Sequence, residues 1–484
     1  MSKGRVMIAA PKSGSGKTSV TIALLENLKK HGIKTCSFKC GPDYIDPLFH
    51  KSVLGIPSFN LDTFFTGEKE TNEIFLMHSK DYEFSVMEGV MGLFDGLGGV
   101  KEEGSSYHLA RVTNTPIILV LDAKGACKSI LPMIVGFKAY DSDNLIKGII
   151  LNRTSQSVFN LIAPLIEKDC GVKALGFIPD KKDAMIPSRH LGLFTPDDQE
   201  KVKKIIDELA DEFAKNVSFE EIEKIAACEE SEKTQESEKA AELCADNLNA
   251  SNGADSKAAI DSGNASDEAA SKDASKCTIA VSKDEAFCFI YEDNIRLLRE
   301  NGADIVYFSP LHDEAVPKDA DAILLTGGYP EEYLETLSKN KSMMDSIKAL
   351  YAKNIPIVAE CGGFMYLHKT IEDRDKKKFE TVGIIDANCV FTGKSVRFGY
   401  IEIKEKESSF LDEGGVIKGH EFHYYDSEKN GDSCVITKPV TGKRYESIIE
   451  SENAFVGFPH LYYPSNPAFA ANFVKKAIEY RKKK

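Results

Sequence analysis

Val6-Met-Ile-Ala-Ala-Pro-Lys-Ser-Gly-Ser-Gly-Lys-Thr18 decides the fold of the N-terminal half. Its apolar start reads as a buried strand and its Gly/Ser-rich continuation as a tight loop. Thr18–His31 then carries apolar residues at Val20, Leu24, Leu25 and Leu28, a helical spacing that stops near Gly32. A strand, a glycine loop and a helix in that order put backbone N–H groups at a helix N-terminus, where they face phosphate. The usual loop has a glycine five residues before the Gly-Lys pair; Pro11 stands there instead. Gly14, Ser15, Gly16, Lys17 and Thr18 keep the working parts. The loop cradles phosphate, Lys17 reaches the β/γ-phosphates, and the Thr18 hydroxyl takes a Mg²⁺ position. ATP and Mg²⁺ are the expected cofactors.

Outward from this loop, continuous apolar runs predict strands at 4–10, 34–39, 84–88, 116–121, 146–151 and 174–178. Alternation with helical segments predicts a doubly wound α/β domain over residues 1–227. Ligands of such sheets bind beyond the carboxyl ends of the strands. Glu88 ends one strand and, with Thr18 and Asp46, is a candidate Mg²⁺ ligand. Asp43, Tyr44 and Asp95 follow strands on the same edge and are candidate substrate contacts. Asn152 ends another strand and is a candidate contact to the nucleotide base.

A second signal lies far downstream. Ile355-Pro-Ile-Val-Ala-Glu-Cys-Gly-Gly-Phe-Met365 reads as a buried strand turning sharply at Cys361. Glycines after the thiol permit a strand-to-helix turn, and a helix N-terminus is expected to lower the thiol pKa. The N–H groups of Gly328, in Thr326-Gly-Gly-Tyr-Pro330, and of Gly362 are candidates for an oxyanion hole. A base must come from elsewhere, with His420, His423 and His460 as candidates. His460 follows a strand and precedes the last helix, as a base in a strand-end loop should. From residue 277 the α/β rhythm resumes, with strands at 277–282, 304–308, 321–326, 355–360 and 454–458. Helices are predicted at 291–301, 340–353, 362–369 and 467–482, a strand-rich stretch at 381–450, and a loop at 459–466.

Residues 228–276 separate the halves. Twelve acids against five lysines make up −7 of the chain's −14, with no aromatic residue. Such a segment buries too little apolar area to offset its ordering entropy, so a disordered linker is expected. The 484 residues exceed one ordinary core. The acidic balance argues against nucleic acid or an anionic membrane as partner. No apolar run reaches the ~20 residues of a membrane span, and no signal-peptide core is present, so a cytoplasmic location is expected. The 11 cysteines are scattered, which suits buried thiols rather than a disulfide framework. Cys36 and Cys40 lack a second Cys/His pair nearby and read as plain buried thiols, not a metal pair.

Several stretches, in order, resemble the cobyrinate a,c-diamide synthase family of cobalamin-type glutamine amidotransferases. They are Ala10–Thr18, Lys39–His50, Asn60-Leu-Asp62, Glu88–Gly96, Leu325–Glu331, Ala359–Met365, Gly419–His423, and His460 with Asn466-Pro467. The resemblance implies a dethiobiotin-synthetase-like N-terminal domain and a class I glutaminase-type domain over 277–484. It implies Cys361 as nucleophile and His460 as the residue that activates it. It further implies ATP- and glutamine-dependent amidation of the a and c acetates of cobyrinate, through an acyl phosphate and glutamine-derived ammonia. Hydrogenobyrinate and nickel sirohydrochlorin are alternative acceptors, and a homodimer is left open. Many class I glutaminases carry Glu two residues after the histidine; here Tyr462 stands there. The rival of a different class is a partitioning-type nucleotide-switch ATPase with a dead second domain.

Overall fold

The computed structural model describes residues 4–180, 196–227 and 276–484, and for 196–199 the backbone alone. The expected linker lies outside the described residues except for Lys276.

Seven strands form the first sheet: β1 (Gly4–Ala9), β2 (Thr35–Cys40), β3 (Ser58–Leu61), β4 (Phe84–Glu88), β5 (Ile117–Asp122), β6 (Ile146–Asn152) and β7 (Lys173–Ile178). Their order is β3-β2-β4-β1-β5-β6-β7, and every pair is parallel. Helices cover both faces, which is why the strands read as unbroken apolar runs. One face packs Met7, Phe38, Leu119 and Ile149; the other packs Val6, Ile8, Val86 and Val120. Helix α1 (Lys17–Lys30) follows β1, α2 (Ile45–Ser52) follows β2, and α3 (Thr63–Ser79) follows β3. Strand β3 was not anticipated: Ser-Phe-Asn-Leu is short, and it is an edge strand held by β2 alone.

The second half centres on a six-stranded sheet. It uses β8 (Cys277–Ser282), β9 (Ala303–Phe308), β10 (Ala322–Leu325) and β11 (Ile357–Glu360), with Ala454–Gly457 parallel to β11 and Ile449–Ser451 antiparallel at the edge. The strand-rich stretch forms a four-stranded and a five-stranded sheet. The helix expected at 362–369 stops at Tyr366, because His368–Glu372 is drawn into a strand by Lys378–Glu380 and Ile385–Phe391. The loop expected at 459–466 contains the two-residue strand His460–Leu461, paired with Ile417–His423.

The two halves meet through an aromatic cluster. Tyr44, Phe64, Phe65 and Leu97 pack against Tyr291 and Tyr462, with Phe289 and Tyr400 at its margin. Tyr400 donates to the Asp62 carboxylate at 2.6 Å, and Lys418 donates to the Phe64 carbonyl at 2.7 Å. Among the described residues no helix is long and apolar enough to cross a membrane.

Candidate active site

The first cluster lies beyond the carboxyl ends of β1, β2 and β4. Gly14 and Gly16 take the positive φ values 77° and 101°, which a side chain would strain. A Cβ on Gly16 would also lie 2.1 Å from Asn152 Nδ2. Asn152 donates to the Ser15 carbonyl at 2.9 Å, so it braces the phosphate loop from β6. Ser15 Oγ donates to the Lys12 carbonyl at 3.0 Å. Lys17 is buried and donates to the carbonyls of Met91 and Lys12. Burial, with the charge of Lys39 beside it, pulls the Lys17 ammonium down to about 8. A cavity of about 750 Å³ adjoins the loop end of β6, lined by Arg153, Thr154, Phe177, Pro179 and Asp180 among others.

Register explains the rest of this cluster. Lys39 on β2 pairs with Glu88 on β4, which places both side chains on one face. Lys39 Nζ lies 3.0 Å from Glu88 Oε1, contacts Asp46, and stands 3.8 Å from Asp43. Thr18 donates to the same Glu88 oxygen at 2.7 Å. Glu88 Oε2 is buried without a hydrogen-bond partner, 3.7 Å from His50 Nε2. Burial and then Asp46 push Glu88 up to about 7, while Lys39 opposes them. Burial holds the His50 imidazole down at about 4. Asp95 accepts from Gly92 N–H at 2.9 Å and shapes the loop after β4. Lys39 received no role from sequence alone. Its signal is a lysine inside a fully buried strand, which needs carboxylate partners that only register reveals.

The second cluster lies beyond the carboxyl ends of β10 and β11. Cys361 has φ 45° and ψ −104°, the strained backbone of a nucleophile elbow. Its N–H donates to the Gly457 carbonyl at 2.9 Å, which ties the elbow to the strand that leads to His460. A Cβ on Gly362 would lie 3.0 Å from Gly328 N, and one on Gly327 would lie 2.3 Å from His460 Cε1. The elbow, the Gly327-Gly328 loop and His460 are therefore packed at glycine distance. His460 stacks on His420 with ring centroids 4.9 Å apart. His423 instead stacks on Phe458 at 4.1 Å.

Electrostatics here differ from expectation. The helix after Cys361 is only five residues long. Burial pushes the thiol well up, with the charges of Glu331, Glu360 and Glu421 adding and the Gly362 N–H opposing. Burial likewise drives His460 well below 6.5 and His420 to about 3. Glu360 is pushed up to about 8 by burial.

The turn Asp43-Tyr44 reaches both clusters through its two side chains, Tyr44 on the side of the second. The Tyr44 ring stacks on Phe289 at 4.8 Å and lies 5.4 Å from the His460 ring. Its neighbour Asp43 faces Lys39.

A phosphate loop on a parallel sheet, joined to a cysteine elbow with a histidine at the neighbouring strand end, defines a glutamine-dependent, amide-forming ligase. Residues 6–193 match the CobQ/CobB/MinD/ParA nucleotide binding domain, and residues 278–466 match the CobB/CobQ-like glutamine amidotransferase domain. A cobyrinate a,c-diamide synthase of Listeria innocua is 35% identical over 471 residues, covering 96% of this chain and 97% of its own. Proteins of that name from Priestia megaterium and Fusobacterium nucleatum are 32% and 36% identical, covering 100% and 94% of this chain and 99% and 97% of their own. The chain belongs to the cobyrinate a,c-diamide synthase family.

Proposed function

We propose that the chain amidates the a and c acetate carboxylates of cobyrinate, spending ATP at the first cluster and glutamine at the second. The observation that carries this reading is the turn Asp43-Tyr44. Consecutive residues contact the phosphate-loop cluster and the histidine beside the elbow. We infer that ammonia released at Cys361 passes Tyr44, Tyr291 and His420, which pack against one another between the clusters.

The Cys361 thiolate attacks the side-chain amide carbon of glutamine. The N–H groups of Gly328 and Gly362 hold the oxyanion, and His460 passes the thiol proton to the departing nitrogen. Water then hydrolyses the thioester to glutamate. In the first cluster the loop N–H groups and Lys17 bind the ATP phosphates. The substrate carboxylate takes the γ-phosphoryl group, and ammonia displaces phosphate from the acyl phosphate.

Mg²⁺ fits the oxygen set there, because Glu88 keeps one buried oxygen, Oε2, without a partner while its other oxygen meets the Thr18 hydroxyl. Thr18 and Glu88 would hold the ion, with Asp46 beside them, and it would offset phosphate charge. Among the described residues no group of three or more His, Cys, Asp or Glu side chains could hold a metal alone. Mg²⁺ is held mainly by phosphates and water with one or two carboxylates. The nucleotide base goes to the cavity beside Arg153 and Pro179. Exposed Phe398 and Phe422 pair edge to face at 5.3 Å, two pairing steps along the strands from Tyr400 and His420. They suit the flat face of a macrocycle.

Mass spectrometry of cobyrinate incubated with ATP, Mg²⁺ and glutamine is expected to give mono- and diamide. Hydrogenobyrinate and nickel sirohydrochlorin run in parallel test the alternative acceptors. Cys361→Ala is expected to abolish glutamine-driven synthesis and keep synthesis from ammonium salt. Hydrolysis of ATP without amidation or glutamine use would instead favour a nucleotide switch.

A further inference from the structure

We propose that Glu360, the residue directly before the nucleophile, is the carboxylate that orients His460 and meets its charge. The inference rests on Cys361 and His460 acting as nucleophile and base. Tyr462 cannot serve in the place of the usual acid. Its ring stacks on Phe65 at 5.0 Å, and its hydroxyl donates to Asp293 at 3.3 Å, so it is committed to the domain interface.

His460 is 2% exposed, and its Nδ1 is buried without a hydrogen-bond partner. A Glu360 carboxylate oxygen lies 4.0 Å from that nitrogen. Topology puts it there. Glu360 pairs with Gly457 on the adjacent parallel strand, and His460 follows Gly457 by three residues. The residue before the elbow is thus delivered to the side of the histidine. Stacking on His420 and packing over Gly327 fix the imidazole plane. Glu421, the other acid on this side, is already committed to Tyr445, to Lys438 at 3.3 Å and to Arg397 at 3.5 Å.

Other titratable groups face the pair. Cys361, Tyr44, Tyr291 and Tyr463 lie around Glu360. His420, His423 and Glu421 lie around His460. None of these brings a cation to Glu360, and burial holds it up to about 8. Gaps of this length between catalytic partners commonly close when substrate binds.

The proton balance is simple. Glu360 first releases its own proton to solvent, the ionisation that the acid-side limb of the pH profile reports; the Cys361 proton then moves to His460 Nε2 while Nδ1–H donates to the Glu360 carboxylate. The imidazolium gains a counter-charge and the sulfur becomes a nucleophile. The Nε2 proton then leaves with ammonia, and Glu360 keeps no proton.

The test uses the full chain. Glutamine hydrolysis and alkylation of Cys361 by iodoacetamide are followed against pH for wild type, Glu360→Gln and Glu360→Asp. In Glu360→Gln we expect kcat to fall at least about 100-fold with KM little changed. The acid-side limb of the profile should disappear, and alkylation should shift to higher pH. Glu360→Asp retains a carboxylate, so it should keep the limb at reduced kcat. Synthesis driven by ammonium salt reports on folding. Profiles that superimpose with kcat within about threefold would overturn the proposal. If the Gln variant does not fold, an Asp variant with wild-type kcat, or without the acid limb, overturns it. Cys361→Ala separates the two readings: glutamine hydrolysis surviving in that variant sinks the nucleophile assignment itself.

Discussion

The two clusters are both largely buried and stand beyond the carboxyl ends of parallel strands, yet they meet burial differently. Around the phosphate loop, Lys39 lies against Asp46 and Glu88, so Lys39 and Asp46 keep their charges in a low-dielectric site even though burial draws Glu88 up to about 7 and Lys17 down to about 8. Asp46 is held below its ordinary range, because the pairing with Lys39 outweighs burial. Among the described residues no cation is paired with Cys361, His460 or Glu360; the nearby Lys438 and Arg397 are held by Glu421. Thiol, imidazole and carboxylate are all driven toward their neutral forms. One buried lysine separates a site poised to bind phosphate from one that stays uncharged until substrate arrives. The physical rule is that isolated buried charges neutralise while paired ones persist.

Removing that lysine is the most damaging way to break the contrast. Lys39→Met leaves Asp46 and Glu88 without their counter-charge. Loss of one partner of a buried ion pair costs about 3–5 kcal/mol. We expect urea unfolding to shift by that order and synthesis to fail with glutamine and with ammonium salt alike. Adding Glu88→Gln should recover part of the stability and none of the synthesis. A Lys39→Met enzyme of wild-type stability would mean that the acids are compensated elsewhere.

What could be read from the sequence follows the same division. Lys17, Thr18, Cys361 and His460 announce themselves through neighbours in the chain, because a glycine loop and an elbow are local devices. Most β-strands of the two central sheets were legible as apolar runs; β3 and the edge strand Ile449–Ser451 were not singled out, since edge strands of three or four residues carry little pattern. Lys39 and Glu360 stand inside quoted stretches but gained meaning only from strand register, which is non-local. The thiol pKa was misjudged for a related reason. A helix N-terminus is visible in sequence, whereas two of the acids that surround Cys361, Glu331 and Glu421, come from separate segments.

A smaller effect is expected at the contact between the clusters. Tyr44→Ala removes a ring packed against Phe289, Tyr291, His420 and His460 without touching a charge of either site. Glutamine hydrolysis should continue while amide formed per glutamine consumed drops about tenfold, because released ammonia escapes. Ammonium-driven synthesis should change less. Measuring glutamate and diamide in one reaction gives the ratio; an unchanged ratio would remove Tyr44 from the ammonia path.

The smallest effect sharpens the neutral half of the comparison through stability. Glu360 is raised from 4.5 to about 8 in the folded protein, so folding favours its protonated form. Its contribution to stability is therefore complete below pH 4.5 and is lost as pH rises through 8. His460, shifted down, behaves in the opposite sense: its contribution is present above 6.5 and is lost as pH falls. Between pH 6.5 and 8.5 the histidine contribution is already full, and Glu360 is the changing member of the pair. Glu360→Gln has no carboxyl to ionise, so it should not share that decline. Thermal unfolding of both proteins should show the Tm of wild type falling relative to the variant by a few degrees from pH 6.5 to 8.5. A difference in Tm that stays constant across this range would place the Glu360 carboxylate in its ionised form throughout, paired with a cation as the acids of the phosphate-loop cluster are. The contrast between the two clusters would then be false.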